Sequence, residues 1–112
     1  MSSQYLESNI SASAKDIHRA LASLQEELEA VDYYHQRAEQ ASDPELRELL
    51  EHNRKEETEH AAMLFEWLRR NAPDFDSMTK EFLFAKGKIT EVEEESMGSG
   101  ENESSSGTLN LS

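Results

Sequence analysis

Cysteine is absent from this 112-residue chain, which excludes disulfides and thiolate metal sites together. Any metal site must use carboxylate, imidazole, phenolate or water, a donor set that suits iron or manganese better than structural zinc. Positive charge is scarce: 11 Lys and Arg stand against 24 Asp and Glu, a net charge of −13. That balance argues against nucleic acid, whose phosphates demand a basic face, and against anionic membrane surfaces. It suits a protein that attracts cations. Long apolar runs are missing as well. Nothing resembles a signal peptide or approaches transmembrane length, so the expected location is the cytosol.

What is present reads as helix. Apolar residues recur at Ile17, Leu21, Leu24, Leu28 and Val31, a stripe at spacings of three and four within a helix predicted over 13–40. A break follows at Ser42-Asp43-Pro44-Glu45. Ser42 is placed to cap the third helical amide while Glu45 reaches back, and Pro44 is tolerated in a first turn. The second helix is predicted to run to about Arg70, with a seam of Leu46, Leu50, Asn53, Glu57, His60, Leu64 and Trp67. Arg69 and Arg70 suit its negative C-terminal end. A third, shorter helix is predicted over 76–86, with Gly87 as its stop. The fold class is all-α: an antiparallel two-helix hairpin plus a short C-terminal helix. The predicted organisation is a flexible N-terminus over 1–12, a helical domain over 13–88, and a disordered tether with a docking peptide over 89–112. Glu93-Glu94-Glu95 leads into a Gly/Ser/Glu-rich run, and the chain closes on Gly107-Thr108-Leu109-Asn110-Leu111-Ser112.

Three ionisable residues sit where the seams call for apolar ones. Glu57 and His60, three apart on one helical face, offer a carboxylate oxygen and an imidazole nitrogen to a single ion. On the first helix Glu27 interrupts the cycle Ala20, Leu24, Val31, Tyr34 in the same way. A buried Glu–His ion pair is the plainer account, but it must offset a large desolvation cost. A shared cation explains all three at once. Ferritin-like di-iron bundles use four carboxylates and two histidines from four helices. This hairpin holds half that number. A twofold axis through the seam completes the set, so the expected site lies at an isologous dimer interface. The short helical part, poor at burying a core alone, points the same way.

The segments Glu26-Glu27-Leu28-Glu29-Ala30-Val31-Asp32-Tyr33-Tyr34 and His52-Asn53-Arg54-Lys55-Glu56-Glu57-Thr58-Glu59-His60-Ala61-Ala62-Met63, followed by Glu66-Trp67-Leu68-Arg69-Arg70, resemble the encapsulated ferritins over residues 20–84. The resemblance implies a two-helix ferroxidase that dimerises into a ferritin-like four-helix bundle and assembles as a ring-shaped decamer. It implies packaging in an encapsulin nanocompartment through a C-terminal peptide, here around residues 107–112. Glu27, Glu57 and His60 are then the ferroxidase ligands, each used twice to hold two iron ions per dimer. Glu26 and Glu29 form a secondary site where metal is taken in, and Tyr34 lies near the di-iron centre. Tyr33 stands where relatives often carry tryptophan. The competing expectation is a non-catalytic acidic helical module whose oligomer is locked by a structural divalent metal. A DNA-protecting ferritin is disfavoured by the charge balance. His18, His35 and His52 are expected to face solvent or to support the site, and Phe65, Trp67 and Leu68 to pack.

Overall fold

A computed structural model describes residues 7–103. Four helices follow one another: α1 (Ala12–Gln40), α2 (Pro44–Asn71), α3 (Phe75–Phe82) and α4 (Ile89–Glu103). No strand occurs among the described residues, in keeping with the all-α class. The chain forms two compact units, with the division after Leu68 inside α2.

The first unit is a capped hairpin. Ser11 adopts extended backbone and its hydroxyl accepts the Ala14 amide at 3.1 Å, satisfying one of the orphan donors that open α1. The Ala41 amide donates to the Arg37 carbonyl and closes that helix. At the start of α2 the cap is Asp43, not Ser42 as the sequence suggests: its Oδ2 accepts the Leu46 amide at 2.9 Å. The reason is Pro44. It occupies the first helical position and biases the residue before it toward the extended backbone a cap requires. Arg47 ties the turn by donating from Nη2 to the Ala41 carbonyl at 2.7 Å.

With only residues 41–43 between them, the helices run antiparallel. Glu27 lies 13 residues before the end of α1 and Glu57 lies 13 residues after the start of α2, so the hairpin brings them level. The buried positions along the two stripes are Ala20 and Ala38 with Glu27, and Ala61 and Leu68 with Glu57, three of the four being alanines. Small side chains let two helices approach closely. The single predicted α2 seam divides in two. Leu50, Glu57, Ala61, Leu64 and Leu68 are half-buried or buried, while Leu49, His60, Met63 and Trp67 form an exposed stripe about 100° around the helix. On α1, Leu28 is likewise left open. A hairpin alone cannot cover both stripes.

The second unit begins at Arg69. Asp74 turns the chain in the left-handed region (φ 69°) and caps α3 without a side-chain hydrogen bond. Arg69 donates to Asp76, and Lys80 pairs with the same carboxylate at 3.1 Å. α3 ends at Phe82, four residues short of the predicted end at Lys86, because Phe84 is also left-handed (φ 64°). Gly87, at φ 92°, precedes α4 where only glycine is at ease. α4 runs through the stretch read as a disordered tether. Its opening residues explain this: Glu91 through Glu95 are good helix formers apart from Val92, and Glu91 in the first turn complements the helix dipole. Residues 104–112, with the predicted docking peptide, lie outside the described residues, as do residues 1–6 of the predicted flexible N-terminus.

Candidate metal centre

The three residues singled out by their seam placement converge. Glu27 from α1, and Glu57 and His60 from α2, bring one donor atom each to within 4.8 Å of one another. His60 Nδ1 lies 3.3 Å from Glu57 Oε1 and 3.5 Å from Glu27 Oε1. They are the one such three-donor group among the described residues.

The group is unfinished as it stands. Glu27 Oε1 is shut off from solvent and has no hydrogen-bond partner. With both carboxylates ionised neither can donate to the other, and an unsatisfied buried oxygen is costly. Two remedies exist: a proton between the carboxylates, or a cation among them. The hydrogen bond with Glu57 holds the Glu27 carboxyl above its ordinary range; burial adds to the rise and His60 opposes it. The same hydrogen bond from Glu27 holds Glu57 below its range, helped by His60 against burial. For His60, burial pulls the ring down, but the hydrogen bond to Glu57 and the charges of both glutamates outweigh it, so the net shift is upward.

A hard cation is the second remedy. Two carboxylates and an imidazole are the donors that iron and manganese accept. Exposure divides the group into two sides. The Glu27 and Glu57 side chains are 25 % and 26 % exposed, whereas His60 is 47 % exposed on the open stripe beside Met63 and Trp67. One side of the group is walled by the hairpin and the other is open.

The remaining predicted residues lie around this group without joining it. Glu26 and Glu29 are exposed on α1. Tyr33 donates from its hydroxyl to Glu29 Oε2 at 3.1 Å, a bond one helical turn long that the sequence reading does not contain. That bond, with the charge of Glu29, raises the Tyr33 phenol. The Arg37 guanidinium sits over both tyrosine rings, 5.5 Å from Tyr33 and 5.8 Å from Tyr34. Its spacings of four and three from these residues are the sequence signal for that contact. Tyr34 is half-buried, two turns from Glu27 on the same stripe. His35 and His52 are exposed as expected, His52 lying 3.9 Å from Glu56, and His18 is half-buried. Leu68 packs fully, and Trp67 is 38 % exposed on the open stripe.

The chain has recognisable relatives among known proteins. Residues 3–86 match the EncFtn-like family. A "Ferritin-like protein" of Thermotoga maritima is 52 % identical over 104 residues, covering 91 % of each chain. An "Encapsulated ferritin-like protein" of Rhodospirillum rubrum is 54 % identical over 76 residues, 68 % of this chain and 54 % of that one. The crystal structure of a protein from Nitrosomonas europaea superposes with a TM-score of 0.72 at 52 % identity, covering 76 % of this chain and 96 % of that one.

Proposed function

The chain belongs to the EncFtn-like family of encapsulated ferritins, and on that premise we propose that it is a ferroxidase, with ferrous iron as substrate and dioxygen as oxidant. The observation that carries this reading is the Glu27–Glu57–His60 group with its partnerless buried oxygen. Each protomer supplies two carboxylates and one imidazole. Two protomers related by a twofold axis supply four carboxylates and two imidazoles, the donor set of a two-iron site, and four carboxylate charges balance two ferrous ions. The open side of His60 and the apolar stripe of Leu49, Met63 and Trp67 are the surfaces that meet across that axis.

In the reaction each of two irons gives up one electron to the oxidant. The protein's part is to hold both metals together and to favour the ferric product, because carboxylates are hard ligands. Protons compete with iron for the Glu27 and Glu57 carboxylates and the His60 ring, so iron binding weakens as pH falls. Glu26 and Glu29 attract incoming iron on the exposed face of α1, and Tyr34 stands beside the site. The dimers assemble as a ring-shaped decamer. By likeness to the Rhodospirillum rubrum relative named as encapsulated, the chain works inside an encapsulin compartment in the cytoplasm. It docks there through residues 107–112.

Ferrous oxidation in air, followed optically for the parent and for His60→Ala, tests the reading. Fast oxidation in the parent falls on the order of 100-fold in the variant, the upper end of what is seen when even the supporting partners of a metal site are removed. No acceleration over buffer, with iron still bound, would leave a non-catalytic module locked by a divalent metal.

A further inference from the structure

We infer that residues 83–88 are a processing site, where an endoprotease that cuts after lysine separates the iron-handling part of the chain from its C-terminal segment. All six residues are exposed, with α3 before them and α4 after. A protease takes its substrate as extended chain, so bonds inside a helix are protected until that helix opens. Between Leu83 and Lys88 no helix has to open. Phe84 (φ 64°) and Gly87 (φ 92°) both interrupt the backbone, and the Ala85 amide reaches the Phe82 carbonyl only at 3.3 Å. A left-handed phenylalanine is strained, and drawing the segment out straight releases that strain. The surroundings are open as well. Its chain neighbours aside, nothing comes within 4 Å of the place a β-carbon would take on Gly87.

The placement of basic residues specifies the protease. Of the 11 Lys and Arg in the chain, nine lie within α1, α2 and α3, and only Lys86 and Lys88 lie outside a helix. The other links, 41–43 and 72–74, contain neither Lys nor Arg. Beyond Lys88 the chain has six glutamates and no further basic residue. A lysine-directed enzyme therefore meets one accessible point and leaves two whole pieces. In the cut, water adds to the carbonyl carbon of Lys86 or Lys88 and the peptide C–N bond breaks, leaving a new carboxylate and a new amine. The family match closes at residue 86, so the larger piece keeps the hairpin, α3 and all three donors. α4 packs on α3, but of residues 89–95 only Val92 is half-buried and the rest are exposed. So small a contact does not retain a severed segment. The cut rests on no step of the iron chemistry; its consequence, release from the compartment, rests on the docking role proposed above for residues 107–112.

Brief trypsin treatment of the iron-loaded full chain, read by intact mass, tests it on the parent and on Lys86→Gln/Lys88→Gln. The parent's first products end at Lys86 and Lys88, and the variant is consumed roughly tenfold more slowly or less, since its remaining sites need a helix to open. The shortened parent still oxidises ferrous iron but is no longer taken up by co-assembling shell protein, whereas the treated variant is. First cuts at any of the nine helical basic residues, or a variant consumed at the parent's rate, would overturn the site. A shortened chain that shell protein still takes up would overturn its role in release. An uncut parent that shell protein ignores would remove the docking role and the release with it, while the cut itself is decided by mass alone.

Discussion

The hairpin and the C-terminal unit treat their helix ends in opposite ways. In the hairpin each turn obeys local rules: Ser11 and Asp43 cap with side-chain oxygens, and Pro44 opens α2. Beyond Leu68 the rules lapse. Asp74 caps α3 from the left-handed region without using its carboxylate, and Phe84 occupies the position of a glycine. Local and global preferences agree along the hairpin that brings the three donors together, and they part at Asp74 and Phe84.

The most forceful way to break this contrast is to wedge the hairpin open. Ala61 is buried one turn beyond Glu57. Ala61→Leu overfills the approach between the helices and costs about 1–3 kcal/mol. Ala62, exposed on the neighbouring position, is the control, because exchange at an exposed site stays within about 0.5 kcal/mol. Urea unfolding of Ala61→Leu and Ala62→Leu measures the difference. Equal losses would mean that close helix approach does not set the spacing of the donors.

How much of this was legible follows the same division. The bounds of α1 and α2 emerge to within a residue or two because periodicity and punctuation agree there. The donor group emerges because Glu27, Glu57 and His60 interrupt apolar stripes. The division of the seam does not emerge: leucine attracts the eye, yet alanines form the close contact and part of the leucine stripe is turned outward. Nor does the early end of α3, since nothing in the residue Phe84 announces a left-handed backbone. α4 was hidden by composition, its glutamates reading as solvated tether although they also favour helix.

Two single substitutions sharpen the comparison at about half that scale. Asp43→Ala removes the carboxylate that accepts the Leu46 amide and should destabilise by about 1 kcal/mol. Asp74→Gly acts in the other direction. It relieves a left-handed β-carbon and forfeits no cap bond, so it should stabilise by up to about 1 kcal/mol. Denaturant midpoints at constant slope report both. Two changes of the same sign would dissolve the contrast.

The smallest effect concerns the ion pairs that steady α3. Lys80 chiefly holds the Asp76 carboxyl below its ordinary value; burial opposes it, and Arg69 adds to the lowering. The folded protein therefore keeps Asp76 ionised at pH values where the unfolded chain begins to protonate it. Stability from these pairs is fully present above roughly pH 4, the unfolded value of an aspartate, and is lost as pH falls through the depressed folded value. The side chains are 34 % (Arg69), 46 % (Asp76) and 73 % (Lys80) exposed, so salt screens much of the gain. Asp76→Asn should consequently unfold earlier than the parent at pH 6 in low salt, by a margin that narrows toward pH 3 and in high salt. A margin unchanged by acid would mean that Asp76 supports α3 through hydrogen bonding an amide can match in part, and not through its charge.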